Sequence, residues 1–169
     1  SLMKYINKKF AIERISIENI AKKYDTPIYC YSFERLKKNI SNFKKNFKSF
    51  TPLICFSIKS NSNLSLIKEI KKFGLGADVV SIGELMLALK AGIDPKKIVF
   101  SGVGKRTNEI NYAIDKKILL INAESKSEIK EIERISKLKK KRINIGIRLN
   151  PNTDAKTLNQ ISTGKKENK

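Results

Sequence analysis

Histidine does not occur anywhere in the 169 residues. Its absence excludes a Ser-His-Asp triad, a histidine-ligated zinc and a histidine general base within this chain. Tryptophan is missing as well, and only two cysteines are present, Cys30 and Cys55. Each cysteine lies in an apolar run (PIYCYS and LICFS) with no C-x-x-C spacing, so neither a zinc ribbon nor a thioredoxin-type pair is encoded. Both read as buried free thiols of a protein kept in a reducing cytoplasm. Long hydrophobic runs are lacking too: nothing approaches the ~20 apolar residues of a membrane span. No signal-peptide pattern precedes the first element, and Ser1-Leu2 ahead of Met3 reads as a cloning remnant. A cytoplasmic location with no membrane partner is expected.

Acidic side chains are scarce, 16 against 36 Lys and Arg, which leaves a net charge of +20. Such a surplus suggests nucleic acid, but its make-up argues otherwise. Thirty of the basic residues are lysine and six are arginine, alongside 25 isoleucines and 15 asparagines. Lys, Ile and Asn share A/T-rich codons, so genome composition accounts for the whole set. The charges are spread along helix faces, with one cluster at Lys139-Lys140-Lys141-Arg142. A dedicated binder concentrates arginine forks and aromatic platforms on one surface. No specific nucleic-acid partner is expected, only weak attraction to polyanions.

What the chain does contain is a regular alternation of short apolar runs and amphipathic stretches. Helices are predicted over 16–24, 33–47, 63–73, 81–91, 107–115 and 125–138 from apolar residues at helical spacing. Strands are predicted over 26–32, 52–58, 76–80, 97–101, 118–122 and 142–149. Runs such as KKIVFSG, KILLIN and RINIGIRLN are almost continuously apolar and β-branched, the mark of strands buried on both faces in a parallel sheet. An open doubly wound sheet and a (β/α)8 barrel both fit this series. No G-x-G-x-x-G follows the first strand, which weakens the dinucleotide-binding form. The GVGKRT segment at 102–107 lacks the first glycine of a P-loop and carries Arg106 where Ser or Thr belongs.

Polar residues gather just after the strands: Lys59-Ser60-Asn61, Ser81, Ser101-Gly102, Asn122 and the stretch from Arg148 to Asn150. In a barrel these share the C-terminal mouth, where active sites are built, and this favours the barrel. Only five strands can be counted from residue 52 onward. A five-stranded arc cannot close, so it exposes an edge and half of its inward face. The expected architecture is therefore α/β, a partial (β/α)8 barrel. Residues 1–25 form an N-terminal segment and helix, and 26–169 the front part of the barrel.

Lys59 is the leading candidate for chemistry. A lysine at the exit of a buried strand can have its amine partly desolvated and kept nucleophilic, as Schiff-base formation with a carbonyl requires. On position alone the commoner reading is a lysine that merely marks the strand's exit into water.

Four segments together resemble the diaminopimelate decarboxylases, pyridoxal-phosphate enzymes of the alanine-racemase-like barrel class (fold type III). CFSIKSNSN (55–63) resembles the family's Tyr-Ala-x-Lys-Ala-Asn segment, with Lys59 at the place of the cofactor-binding lysine. GADVVSIGELMLALKAGIDPKKIVFSGVGKR (76–106) matches almost without a gap, and INAES (121–125) resembles the family's Asn-x-Glu-Ser strand end. RLNPNTDAKTLNQISTGKKENK (148–169) resembles the loop that runs into the next barrel strand. Phe56-Ser57 replaces the usual Tyr-Ala, Ser60 replaces alanine, and Leu158 stands where relatives commonly have histidine.

The resemblance implies removal of the D-centre carboxylate of meso-2,6-diaminopimelate as CO2, giving L-lysine, in lysine biosynthesis. Pyridoxal 5′-phosphate would be held by Lys59 and supply the electron sink for the departing carboxylate's electrons. Asp78 matches an acidic residue near the cofactor, or alternatively caps helix 81–91. Arg148 would lie near the cofactor ring, or alternatively be a buried arginine paired with an acid such as Asp78. Glu84 and Lys105 are read as structural. No metal is implied. The resemblance also implies a small amino-acid substrate and a homodimer when full length. The remaining cofactor and substrate contacts, with a C-terminal β domain, are absent from these residues, so the isolated chain is expected to be inactive. Alternatives are an ornithine, arginine or carboxynorspermidine decarboxylase, alanine racemase, or a non-catalytic pyridoxal-phosphate-binding barrel.

Overall fold

The computed structural model describes residues 3–152. The Asp154-Ala155-Lys156-Thr157 and Ile161-Ser162-Thr163-Gly164 segments and Leu158 lie outside the described residues. Contacts divide the chain into two compact units, Ser1–Pro52 and Leu53–Lys169, a division 27 residues later than the expected break after residue 25.

The first unit opens with three strands that the periodicity did not reveal: β1 (Met3–Ile6), β2 (Lys9–Ile12) and β3 (Ile15–Ser16), paired antiparallel in that order. Each connection is a two-residue turn with both residues at positive φ, Asn7 and Lys8 (50° and 63°), then Glu13 and Arg14 (50° and 74°). Those are the dihedrals of a type I′ hairpin turn. Helices α1 (Ile17–Tyr24) and α2 (Phe33–Lys45) follow. Ser32 caps α2 by accepting from the Arg35 amide at 3.0 Å, and the Glu13 carboxylate accepts from the Ser32 hydroxyl and the Glu34 amide. Residues 26–32 form no strand, contrary to expectation. Strand propensity needs a paired neighbour to become a strand, and these residues have no ladder partner among the described residues. Ile28, Tyr29 and Tyr31 are accordingly exposed.

The second unit repeats one βα step. Strand β4 (Cys55–Ser57) leads through a 3-10 turn at Ile58–Ser60 into α3 (Leu64–Lys72). Then come β5 (Gly76–Val79), α4 (Ile82–Lys90), β6 (Ile98–Phe100), α5 (Thr107–Asp115), β7 (Leu120–Ala123), α6 (Lys126–Lys139) and β8 (Asn144–Ile147). The sheet is parallel throughout, in the order β4-β5-β6-β7-β8. Sequential order in a parallel sheet is the winding of a barrel, and five strands make an open arc of it.

The helices begin where local chemistry dictates. Asn63 accepts from the Ser65 and Leu66 amides to start α3. Ser81 and Ser125 do the same for Glu84 and Glu128, and these glutamates reach back to the Val80 and Glu124 amides at 2.9 and 2.7 Å. This is the reciprocal Ser-x-x-Glu arrangement that satisfies orphan donors at a helix start.

Alternate residues of β5, β6 and β7 face the helices: Ala77, Val79, Ile98, Phe100, Ile121 and Ala123 are all at most 1% exposed. They meet Ile67, Leu85, Ile110 and Ile132 from the helices in one core cluster. The opposite face, carrying Asp78, Val99, Leu120 and Asn122, is only half-buried. Burial on both faces, expected from the sequence, is thus realised on one. β8 pairs only with β7 among the described residues, and Ile145, Ile147 and Leu149 are exposed.

Carboxylates tie α5 and α6 together at the surface. Asp115 accepts from Lys139 at 2.8 Å and Lys141 at 2.7 Å, which lowers its pKa to about 2. Hydrogen bonds from Arg134 and Thr107 lower Glu131 to about 2 in the same way. A carboxyl whose folded value lies below its unfolded one contributes stability above the unfolded pKa and loses it as pH falls through the folded pKa. Stability should therefore decline between roughly pH 4.5 and 2. Asp115→Asn should flatten part of that decline in an acid-denaturation series, and a variant whose acid profile overlays the parent's would exclude Asp115 as a contributor.

Candidate active site

Strand register alone brings the polar residues together. Ser57 pairs with Asp78, Asp78 with Val99, and Val99 with Leu120 across four strands, so these residues share the inner face. Ser101 and Asn122 lie two residues further along β6 and β7 on that face, and Asn122 pairs with Gly146 of β8. Arg148 lies two residues beyond Gly146, its amide continuing the ladder to the Ala123 carbonyl at 3.1 Å.

Lys59 sits in the 3-10 turn, two residues past Ser57. It is exposed, and its amine makes no hydrogen bond or ion pair among the described residues. The partial desolvation expected for it is not supplied by residues 3–152. Lys105 is its opposite. The Lys105 side chain is 2% exposed, and its ammonium donates to the Gly102 carbonyl (2.6 Å), the Asn122 carbonyl (2.8 Å) and Glu128 Oε1 (3.0 Å). All three ammonium protons are committed. A lysine so held cannot serve as a free nucleophile, whereas Lys59 can.

Asp78 does not cap α4, since Ser81 does. Its Oδ1 accepts from the Ser101 hydroxyl at 2.7 Å, and the Ser101 oxygen accepts from the Asn122 amide at 3.0 Å. Arg148 differs from the buried, Asp78-paired alternative. It is 43% exposed and pairs with Glu124 at 3.3 Å, the Glu124 side chain being 5% exposed. Ser60, Asn61 and Ser81 serve the backbone locally: Ser60 donates to the Ser57 carbonyl, Asn61 accepts from the Asn63 amide, and Ser81 caps. Of the polar residues gathered after the strands, Ser101 links directly to Asp78 and Asn122 links through Ser101.

Ser57 was missed as a site residue. Its hydroxyl oxygen is buried without a hydrogen-bond partner, opposite Asp78 in the register. An orphaned hydroxyl, a carboxylate and an unengaged amine on one strand-end face suit a polar aldehyde cofactor bonded to the lysine. The only sequence signal was Ser57 itself, a hydroxyl where the resembled motif has alanine.

Cys55 lies on the same face, its thiol directed at the Lys97 carbonyl, 3.7 Å away. Both cysteines are free and half-buried, not fully buried as expected. Burial, and then the negative charge of Asp78, push the Cys55 thiol above its ordinary pKa. Asp78→Asn removes the second cause, so the thiol should ionise at lower pH and alkylate faster at a fixed mildly alkaline pH. Iodoacetamide rates in a Cys30→Ser background measure this. An unchanged rate–pH profile would show that the Asp78 charge does not reach the thiol.

Comparison with known proteins bears on this geometry. The profile described as "Pyridoxal-dependent decarboxylase, pyridoxal binding domain" matches residues 33–169. A diaminopimelate decarboxylase of Helicobacter pylori strain J99 is 51% identical over 152 residues, 90% of this chain and 38% of that protein. The crystal structure of diaminopimelate decarboxylase from Helicobacter pylori complexed with L-lysine superimposes with a TM-score of 0.86 at 48% identity, covering 89% of this chain and 38% of that one. The corresponding M. jannaschii enzyme, also in complex with L-lysine, gives 0.89 at 33% identity over 99% of this chain and 40% of that one. The chain thus spans about 38% of the length of that curated Helicobacter relative.

Proposed function

The chain belongs to the pyridoxal-dependent decarboxylases, and from that membership we propose that it is the front portion of a diaminopimelate decarboxylase, converting meso-2,6-diaminopimelate to L-lysine and CO2. The observation that carries the reading is the contrast between two strand-end lysines. Lys59 is exposed and unengaged inside the matching motif, while Lys105 is locked into three hydrogen bonds.

Pyridoxal phosphate, when bound, supplies a conjugated ring that accepts the electrons of the bond to the departing carboxylate. Lys59 would hold the cofactor through Nζ, the exposed amine just past the end of β4. Asp78 presents a fixed carboxylate beside that lysine's strand, its Oδ1 already accepting from Ser101. Arg148 reaches the same face from the end of β8, its guanidinium anchored on Glu124 and half-open to an incoming group. Ser57 offers an unused hydroxyl. The pocket's other walls, the substrate contacts and the partner subunit of a homodimer belong to the rest of the protein. A cytoplasmic setting fits the free thiols and the lack, among the described residues, of any helix long and apolar enough to cross a membrane.

The test is turnover by the full-length enzyme reconstituted with pyridoxal phosphate. CO2 release is expected from meso-diaminopimelate and not from ornithine or arginine. Preferential turnover of either of those would move the assignment to another branch of the family.

A further inference from the structure

Given the reading of Asp78 as a cofactor-side carboxylate, on which this inference rests, we propose that Ser101 and Asn122 are positioning residues that hold Asp78 in place through a one-way hydrogen-bond relay. Asp78 lies in β5 and Asn122 in β7, and Ser101 directly follows β6 between them, on the face that carries Ser57. A serine hydroxyl has a single proton. Because the Asn122 Nδ2 donates to Ser101 Oγ at 3.0 Å, that oxygen accepts there. Its proton is free to go to Asp78 Oδ1 at 2.7 Å. The relay therefore runs amide to hydroxyl to carboxylate, and each link fixes the orientation of the next.

The far end of the relay is fixed by its surroundings. Asn122 Oδ1 lies 2.1 Å from where a Cβ would stand on Gly146, so the amide occupies space that only glycine leaves open. The Asn122 carbonyl is held by Lys105 at 2.8 Å, which ties the same residue to the buried ion pair with Glu128. Other ionisable groups on this face are Cys55 and Lys59 beside β5, and Glu124 and Arg148 at the ends of β7 and β8. Arg148 pairs with Glu124 at 3.3 Å.

A purely structural role would cross-link three strands and affect only stability. A positioning role also alters how the bound cofactor behaves. The test uses the full-length holoenzyme and reads, without substrate, the visible absorbance of the bound cofactor against pH and its loss on gel filtration. Ser101→Ala and Asn122→Ala are expected to lose cofactor about tenfold faster, as removal of a hydrogen bond to a charged group implies. Both should move the absorbance midpoint in the same direction as Asp78→Asn. Ser101→Thr, which keeps the hydroxyl, should restore the parent's behaviour. Circular dichroism checks folding. Should Ser101→Ala not fold, Asn122→Ala, one link further from the carboxylate, carries the same comparison. Spectra and retention that match the parent in both alanine variants, while Asp78→Asn departs from it, would overturn the relay and leave the cofactor reading standing. A parent that gains no visible band with pyridoxal phosphate would overturn the cofactor reading and the relay with it.

Discussion

Lys59→Ala should abolish turnover by the full-length enzyme, with a loss of roughly 10³-fold or more, equivalent to about 4 kcal/mol of barrier. The effect should fall on turnover and not merely on substrate affinity, because on the proposed reading the replaced group would form a covalent bond that no neighbour can form in its stead. Lys105, the nearest rival by motif, has its ammonium enclosed by three acceptors and its side chain 2% exposed. Freeing that amine would mean leaving Glu128 buried and unpaired. Lys59→Arg keeps the positive charge yet should be as inactive as alanine, since a guanidinium stays protonated and cannot attack a carbonyl. Borohydride reduction of the loaded parent, followed by peptide mapping, should place the cofactor on the peptide containing residue 59. An adduct on Lys105 would overturn the assignment.

The βα units from residue 53 onward were legible because local and global signals agree there. Apolar runs ending in Ser-x-x-Glu state both the strand and the start of the next helix, at Ser81-x-x-Glu84 and again at Ser125-x-x-Glu128. Such agreement is what makes a sequence specify its fold. The hairpins β1–β3 were not legible, because their turns use Asn7-Lys8 and Glu13-Arg14 in place of the glycine that usually marks positive φ. Residues 26–32 failed for the opposite reason: strong strand propensity with no ladder partner among the described residues.

At the candidate site, the motif points to Lys59 and Asp78, but it does not reveal the hydrogen-bond partner of Asp78. Partnership on a sheet depends on register, and register is a property of several strands at once. Thus Asp78 reads equally well as a helix cap until its pairing with Val99 brings Ser101 alongside. Arg148 likewise reads as a partner for Asp78 until the ladder sets it beside Glu124. Lys105 was read as structural, and that is its role. The depth of its burial was hidden because its acceptors lie 3, 17 and 23 residues away.

That burial makes Lys105→Met the substitution with the largest expected cost to stability, about 3–5 kcal/mol. The ammonium serves three acceptors at once, and two of them are backbone carbonyls, Gly102 just past β6 and Asn122 within β7. The third, Glu128, has a side chain only 8% exposed, and its other oxygen already accepts from the Glu124 amide at 2.7 Å. Methionine fills the space of the lysine stem and keeps its contact with the Phe100 ring, over which the ammonium now lies at 5.5 Å from the centroid. Lost packing therefore contributes little, and the cost comes from a carboxylate left buried without its counter-charge. One consequence separates this account from a generic core defect. The penalty should shrink in Lys105→Met/Glu128→Gln, where the amide oxygen can still accept from Glu124 and no charge remains. Urea denaturation of the apo full-length protein and its variants measures each term. A single variant within about 0.5 kcal/mol of the parent would place the pair among ordinary surface salt bridges, whose contribution is small. The other expected pattern, a large single-variant loss partly recovered in the double variant, would assign the cost to the unpaired charge.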